Sequence, residues 1–204
     1  MRSECKDSLI IMSSLGAEQD EILRIIGETI RTDKISADAR KLSWNKFNGD
    51  VSCRVVGTFL QRHMPNGLKV AGPGVFIHGY PMEFDLLVLD SDAEPLPYTN
   101  SYPDKKVKFV VEVKGKGGMD KDHPSKQLAK FDAIAKKFPH IRCVYFTIRE
   151  TGEPKRPNSI NYLKNLRTIL EPRHRVFCLK DSRTNDVYLD QWGDFVNCTC
   201  TQTR

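Results

Sequence analysis

Two strongly apolar segments of this chain carry acids that an ordinary buried strand would exclude. MEFDLLVLD (82–90) contains Asp85, and VKFVVEVK (107–114) contains Glu112 followed two residues on by Lys114. Side chains alternate faces along a strand. Glu112 and Lys114 therefore leave on one face, about 7 Å apart, while Val107, Phe109, Val111 and Val113 leave on the other. In the earlier segment Phe84, Leu86 and Val88 share a face and Asp85 takes the opposite one. A carboxylate in such surroundings is costly unless it is paired or binds a metal. Two acids and a lysine suit phosphodiester hydrolysis. Asp85 and Glu112 offer hard oxygen ligands for Mg²⁺, with Mn²⁺ as a substitute, and the backbone carbonyl of Val113 can add another. The ion lowers the pKa of a bound water and neutralises the phosphate. Lys114 orients that water or stabilises the developing charge. The competing view is a solvent-facing Glu–Lys pair on an exposed strand. Asp85 inside the preceding apolar strand favours the site.

The surrounding pattern supplies elements to hold these residues. Residues 17–32 place Ile22, Ile26 and Ile30 at helical spacing behind an acidic start. Residues 33–47 read as a polar connection. Residues 48–64 put Val51, Val55 and Phe59 on one helical stripe, with Asp50, Cys53 and Gly57 on a second; Asn48 or Asp50 can cap the helix and Pro65 ends it. A strand over 67–78, broken at Gly72-Pro73-Gly74, precedes the two acid-bearing strands, with a loop at 91–106 between them. Pro124 opens a helix over 124–138, 141–148 is a β-branched and aromatic strand, and 159–170 is a helix. RVFCLK (175–180) and DVYLD (186–190) read as short strands, and 191–197 as a terminal helical turn. From residue 48 the order is helix, three strands, helix, strand. Consecutive strands pair antiparallel, and the strand after the crossover helix joins in parallel. The fold class is α/β, with a mixed sheet flanked by helices.

Asp85 followed by Glu112-Val113-Lys114 at the end of the next strand resembles the PD-(D/E)XK, or restriction-endonuclease-like, nuclease superfamily. Gln127 with Phe131 four residues later resembles the Q-x-x-x-Y element that often follows the E-x-K lysine. A narrower layout also fits: a helix from Gly49, Pro65, then Val70-Ala71-Gly72-Pro73-Gly74-Val75 as a V-x-x-G-x-V-type strand. The likeness covers roughly residues 48–148. It implies the helix, three-strand, helix, strand core read above, Mg²⁺-dependent endonuclease activity on DNA, and a homodimer, because two strands must be cut. The superfamily's first helix often supplies a glutamate to the metal. Cys53 stands at that position here, and Asp50, one turn earlier on the same stripe, either caps the helix or reaches the metal.

The charge distribution fits either a nucleic-acid partner or an ordinary solvated surface, and charge alone does not choose between them. The net charge is +6, with 11 basic against 14 acidic residues in 1–100 and 21 against 12 in 101–204. Such a basic half suits phosphate contacts, and Lys116, Lys126, Lys130 and Gln127 are the candidates nearest the acids. Tyr98, Tyr102 and Trp192 can stack on bases, though packing is the ordinary role for each. Gly115-Lys116-Gly117-Gly118 lacks the spacing of a nucleotide-binding P-loop. The histidines are scattered, and the six cysteines match no zinc framework.

These features predict one nuclease-like domain over 1–204, with a core at about 48–148, an N-terminal helical elaboration (1–47) and a C-terminal one (149–204). Free cysteines fit a reducing compartment. No apolar run reaches the roughly 18 residues of a membrane span, and the start lacks a signal-peptide core. The expected location is therefore intracellular, cytoplasmic or with the nucleoid or nucleus, rather than secreted. DNA is the expected partner, with RNA left open. The alternative is a catalytically weak or inactive module on the same fold that binds nucleic acid or protein. A small-molecule enzyme needs an enclosed apolar pocket, of which the sequence gives no sign.

Overall fold

The computed structural model describes residues 4–32, 44–115, 123–148, 162–179 and 189–200. Its helices are α1 (Glu4–Thr32), α2 (Trp44–His63), α3 (His123–Lys137), α4 (Tyr162–Leu170) and α5 (Leu189–Cys200). Its strands are β1 (Leu68–Ala71), β2 (Val75–Ile77), β3 (Glu83–Phe84), β4 (Leu86–Asp90), β5 (Ser101–Tyr102), β6 (Val107–Lys114), β7 (Arg142–Thr147) and β8 (Arg175–Cys178).

A five-stranded sheet runs β1-β4-β6-β7-β8. β1, β4 and β6 pair antiparallel, and β6, β7 and β8 pair parallel. The link from β1 to β4 carries β2 and β3, and the link from β4 to β6 carries β5, whereas the helices α3 and α4 carry the chain across for the parallel strands β7 and β8. A smaller sheet, β3-β2-β5, stands beside it.

The central strands are apolar on both faces, as sheets covered on both sides must be. On one face α1, α2 and α5 bring Ile22, Val56, Phe59, Leu60, Trp192 and Phe195 onto Leu86, Val88, Phe109, Val111 and Phe146. On the other, α3 and α4 bring Phe131, Ile134, Leu166 and Leu170 onto Leu87, Leu89, Val110 and Tyr145. Each such side chain contributes about 1.5–3 kcal/mol when fully buried.

Several expectations change. Phe84 belongs to the α3–α4 layer while Leu86 belongs to the α1–α2 layer, because the chain bends at Asp85 between β3 and β4. Val107 likewise packs in the α3–α4 layer, apart from Phe109. Leu89 pairs with Val107 and Val88 with Phe109, so Lys108 is the extra residue of a bulge. Leu189 and Asp190, read as the end of a strand, begin α5. There Trp192, Phe195, Val196 and Thr199 recur at helical spacing and are buried; that period outweighs the local β propensity of the preceding residues. Residues 186–188 lie outside the described residues. α2 starts at Trp44, so neither Asn48 nor Asp50 caps it. Half-buried Phe47 packs on the core and continues the apolar stripe towards the N-terminus. The 91–106 loop contains β5, which pairs parallel with β2.

Candidate active site

β6 outruns β4, and the site occupies the gap. The β4–β6 ladder begins at Leu86–Val111, whereas β6 continues to Lys114 against β7. Beyond Leu86 the partner of β6 is a side chain: Val113 N–H donates to Asp85 Oδ2 at 2.8 Å. A residue in an extended strand sends its N–H and C=O to the same edge. The Val113 carbonyl therefore leaves on the edge where Asp85 stands.

Asp85 is held by its backbone too. Cys53 Sγ on α2 donates to the Asp85 carbonyl at 3.2 Å. Gly72, at φ +144°, lies so close that a Cβ there would stand 2.4 Å from the same oxygen. Gly57, one turn beyond Cys53, leaves room for Leu86, whose Cδ2 would lie 3.0 Å from an added Cβ. Small residues on α2 and after β1 thus let two backbones close on the bend that aims Asp85. Gly115 works the same way at the end of β6, where a Cβ would meet Ser52 Oγ at 2.9 Å.

Glu112 is 6% exposed and meets two lysines. Lys114 Nζ donates to Oε1 at 2.6 Å, and Lys130 Nζ, from α3, donates to Oε2 at 2.6 Å. Lys114 Nζ also lies 3.6 Å from Asp85 Oδ2. Two acids and two lysines therefore form one cluster at the mouth of the gap. Burial, then the Glu112 charge, raise the Asp85 carboxyl above its ordinary range against the pull of Lys114. Burial also opposes ionisation of Glu112, but Lys114 and Lys130 outweigh it and hold that carboxyl low. Burial would lower Lys114, yet Glu112 and Asp85 overcome it and raise the ammonium's pKa. The Cys53 thiol is pushed far up, first by burial and then by Asp85 and Asp50.

The structure thus brings Asp85, Glu112, Val113 and Lys114 together. Lys130, expected on a phosphate-binding surface, is part of the same cluster. Gln127 lies three residues before Lys130 on α3, on the same helical face. It is buried, and its Nε2 has no hydrogen-bond partner among the described residues. Asn48 Oδ1, near the end of β6, is similarly placed. Asp50 is exposed on α2. Lys126 is exposed on α3, and Lys116 lies outside the described residues. Trp192 is a core residue bonded to Glu18 at 2.9 Å, while Tyr98 is fully exposed. Sequence reasoning missed the second lysine on Glu112 and the Cys53 bond to Asp85. The i, i+3 spacing of Gln127 and Lys130 was the available signal for the first.

Among solved structures, NucC from P. aeruginosa ATCC27853 in its cAAA-bound form superposes with a TM-score of 0.61 at 14% identity, covering 92% of this chain and 90% of that one. NucC from E. coli MS115-1, cAAA-bound, gives 0.61 at 14% identity over 92% and 89%. The same E. coli protein in its apo form gives 0.58 at 13% over 94% and 92%. The chain has the restriction-endonuclease-like fold. No protein-family model and no curated protein matches the chain.

The restriction-endonuclease-like likeness spans nearly the whole chain, beyond the 48–148 core that the motifs delimit. In this fold's setting the cluster stands at the end of the central strand β6, between the two helical layers. Its donor set suits a hard divalent ion: two carboxylates, a carbonyl on the same edge and, among the described residues, no imidazole. Among the described residues no group of three or more His, Cys, Asp or Glu side chains forms a metal cage. A cation here would use Asp85, Glu112, the Val113 carbonyl and water, as Mg²⁺ commonly does.

Proposed function

We propose that this protein is a divalent-metal-dependent deoxyribonuclease, an endonuclease that hydrolyses phosphodiester bonds in DNA. The observation that carries this reading is the convergence of Asp85, Glu112 and Lys114 in the gap beside β6, within a restriction-endonuclease-like fold.

Asp85, Glu112 and the Val113 carbonyl would hold Mg²⁺ or Mn²⁺. When bound, the ion supplies an activated water and charge neutralisation. Lys114, charged and beside both acids, orients the attacking water and counters charge on the phosphate. Gln127 Nε2 and the lysines of α3 hold the strand being cut. Exposed Lys126 and, beyond the described residues, Lys116 extend that contact, which makes binding strongly salt-dependent. Cutting both strands calls for two sites, so a homodimer is part of the proposal. Buried free thiols at Cys53, Cys143 and Cys178 support an intracellular setting. Among the described residues no helix is long and apolar enough to cross a membrane.

A second reading has its own support. Cys53 stands where related first helices often carry a glutamate, and its thiol is engaged with the Asp85 carbonyl. A catalytically silent nucleic-acid- or protein-binding module would tolerate that exchange.

The deciding experiment incubates plasmid and labelled single-stranded and branched DNA with Mg²⁺, Mn²⁺ or EDTA, with and without cAAA, the ligand of two of the similar structures. Metal-dependent cutting, lost in Glu112→Ala and Lys114→Ala, is the expected result. Salt-sensitive binding without cutting under any metal would replace the enzyme with the binding module.

A further inference from the structure

We propose that Lys130 guards the metal position. It holds Glu112 while no nucleic acid is bound and releases it when a substrate phosphate takes up its ammonium. The inference rests on the nuclease reading above.

Each oxygen of Glu112 has its own lysine, both at 2.6 Å. A divalent ion against Asp85 and Glu112 would lie close to two ammonium groups in a half-buried site, where water screens like charges poorly. One lysine must yield. Lys114 is tied to both acids and sits on the same strand as Glu112. Lys130 comes from a different element, and its ion pair among the described residues is with Glu112. Its ammonium lies 5.4 Å from the Phe84 ring centroid, within cation–π distance. Gln127, on the same face of α3, presents a buried and unpartnered Nε2. An anionic oxygen that reached it would find an amide donor one helical turn from the lysine it recruits. Once Lys130 turns to phosphate, Glu112 has an oxygen free for the cation and the local positive charge drops by one. Metal and DNA then favour each other's binding, and linkage makes the effect reciprocal.

The test is an Mn²⁺ titration by electron paramagnetic resonance on the full chain without DNA. Wild type is compared with Lys130→Met, Lys130→Arg and Glu112→Gln. Lys130→Met keeps an unbranched apolar side chain and removes the charge. It should bind Mn²⁺ about tenfold more tightly than wild type, within the usual range of coupling between sites. Lys130→Arg should bind like wild type, and Glu112→Gln should bind weakly. In Mg²⁺-dependent cleavage Lys130→Met should raise KM for DNA. If Lys130→Met does not fold, Lys130→Gln makes the same charge change with a polar side chain. Equal or weaker Mn²⁺ binding by the neutral variant overturns the guard role. The nuclease reading survives that outcome as long as wild type cuts DNA and Glu112→Gln does not. Absence of both Mn²⁺ binding and cutting in wild type overturns both.

Discussion

Asp85 accepts the backbone N–H of Val113 through its Oδ2 at 2.8 Å, so the first acid of the site is fastened to the strand that carries the second. The bond replaces the ladder bond that β4 would have made had it run on past Leu86. It also fixes the spacing between Asp85 and Glu112 through backbone. Long, mobile side chains do not have to set it.

Removal of charge at either end of the Glu112–Lys114 pair should stop catalysis without unfolding the chain. Glu112→Gln and Lys114→Met are each expected to lower kcat about 10²- to 10³-fold, the usual cost of removing one preorganised electrostatic group. Single-turnover cleavage on labelled duplex measures this. Near-wild-type rates in both variants would remove the pair from the chemistry.

Asp85 should tax stability as pH rises. Its carboxyl titrates above the unfolded value because burial and Glu112 disfavour the charged form. Between the unfolded pKa and the folded one the native state binds more protons, so stability falls as pH increases through that window. Asp85→Asn removes the effect and keeps an oxygen for Val113 N–H. Urea melts should show the variant gaining on wild type from about pH 4 upward, starting at the unfolded carboxyl's pKa. A stability difference that is flat with pH would contradict the raised carboxyl.

Gly72→Ala should destabilise by more than about 1 kcal/mol, since it places a side chain at positive φ and a Cβ 2.4 Å from the Asp85 carbonyl. The same push displaces Asp85, so kcat should drop further than the stability change explains. Denaturant midpoints and kcat on folded protein separate the two effects. An Ala variant with wild-type stability and kcat would show that the close approach is dispensable.

Cys53 offers a graded test. Cys53→Ser keeps a donor for the Asp85 carbonyl and should retain most activity. Cys53→Glu buries a third carboxylate beside Asp85 and Glu112, which costs stability while it is unpaired. A divalent ion offsets that charge. Thermal melts should therefore show a lower Tm for Cys53→Glu in EDTA and a larger rise with Mn²⁺ than wild type shows. Equal metal-induced shifts would mean that residue 53 does not face the cation position.

Much of the candidate cluster was legible because acids and apolar strands seldom mix. Asp85, Glu112 and Lys114 stood out on period and burial cost alone, and β6 runs from Val107 to Lys114 as its pattern indicates. Other features were hidden for physical reasons. Strand alternation predicts faces only while the strand is regular; the bend at Asp85 and the bulge at Lys108 each reset the count. The first turns of α1 are not legible as helix, because Leu9, Ile10, Ile11 and Met12 are contiguous rather than spaced at the helical period.

The sequence by itself determined the helix, strand, helix, strand order of the core, the parallel entry of β7 after a crossover helix, and the candidate acids Asp85 and Glu112 with Lys114. These are local properties, set by period, turn residues and the cost of burying charge. Only the tertiary structure decided that β4 stops short of β6, that Cys53 and Gly72 close on the Asp85 carbonyl, and that Lys130 reaches Glu112 from another helix. Each joins residues 13 to 32 positions apart. Such contacts depend on how layers pack, and no single segment's pattern encodes them.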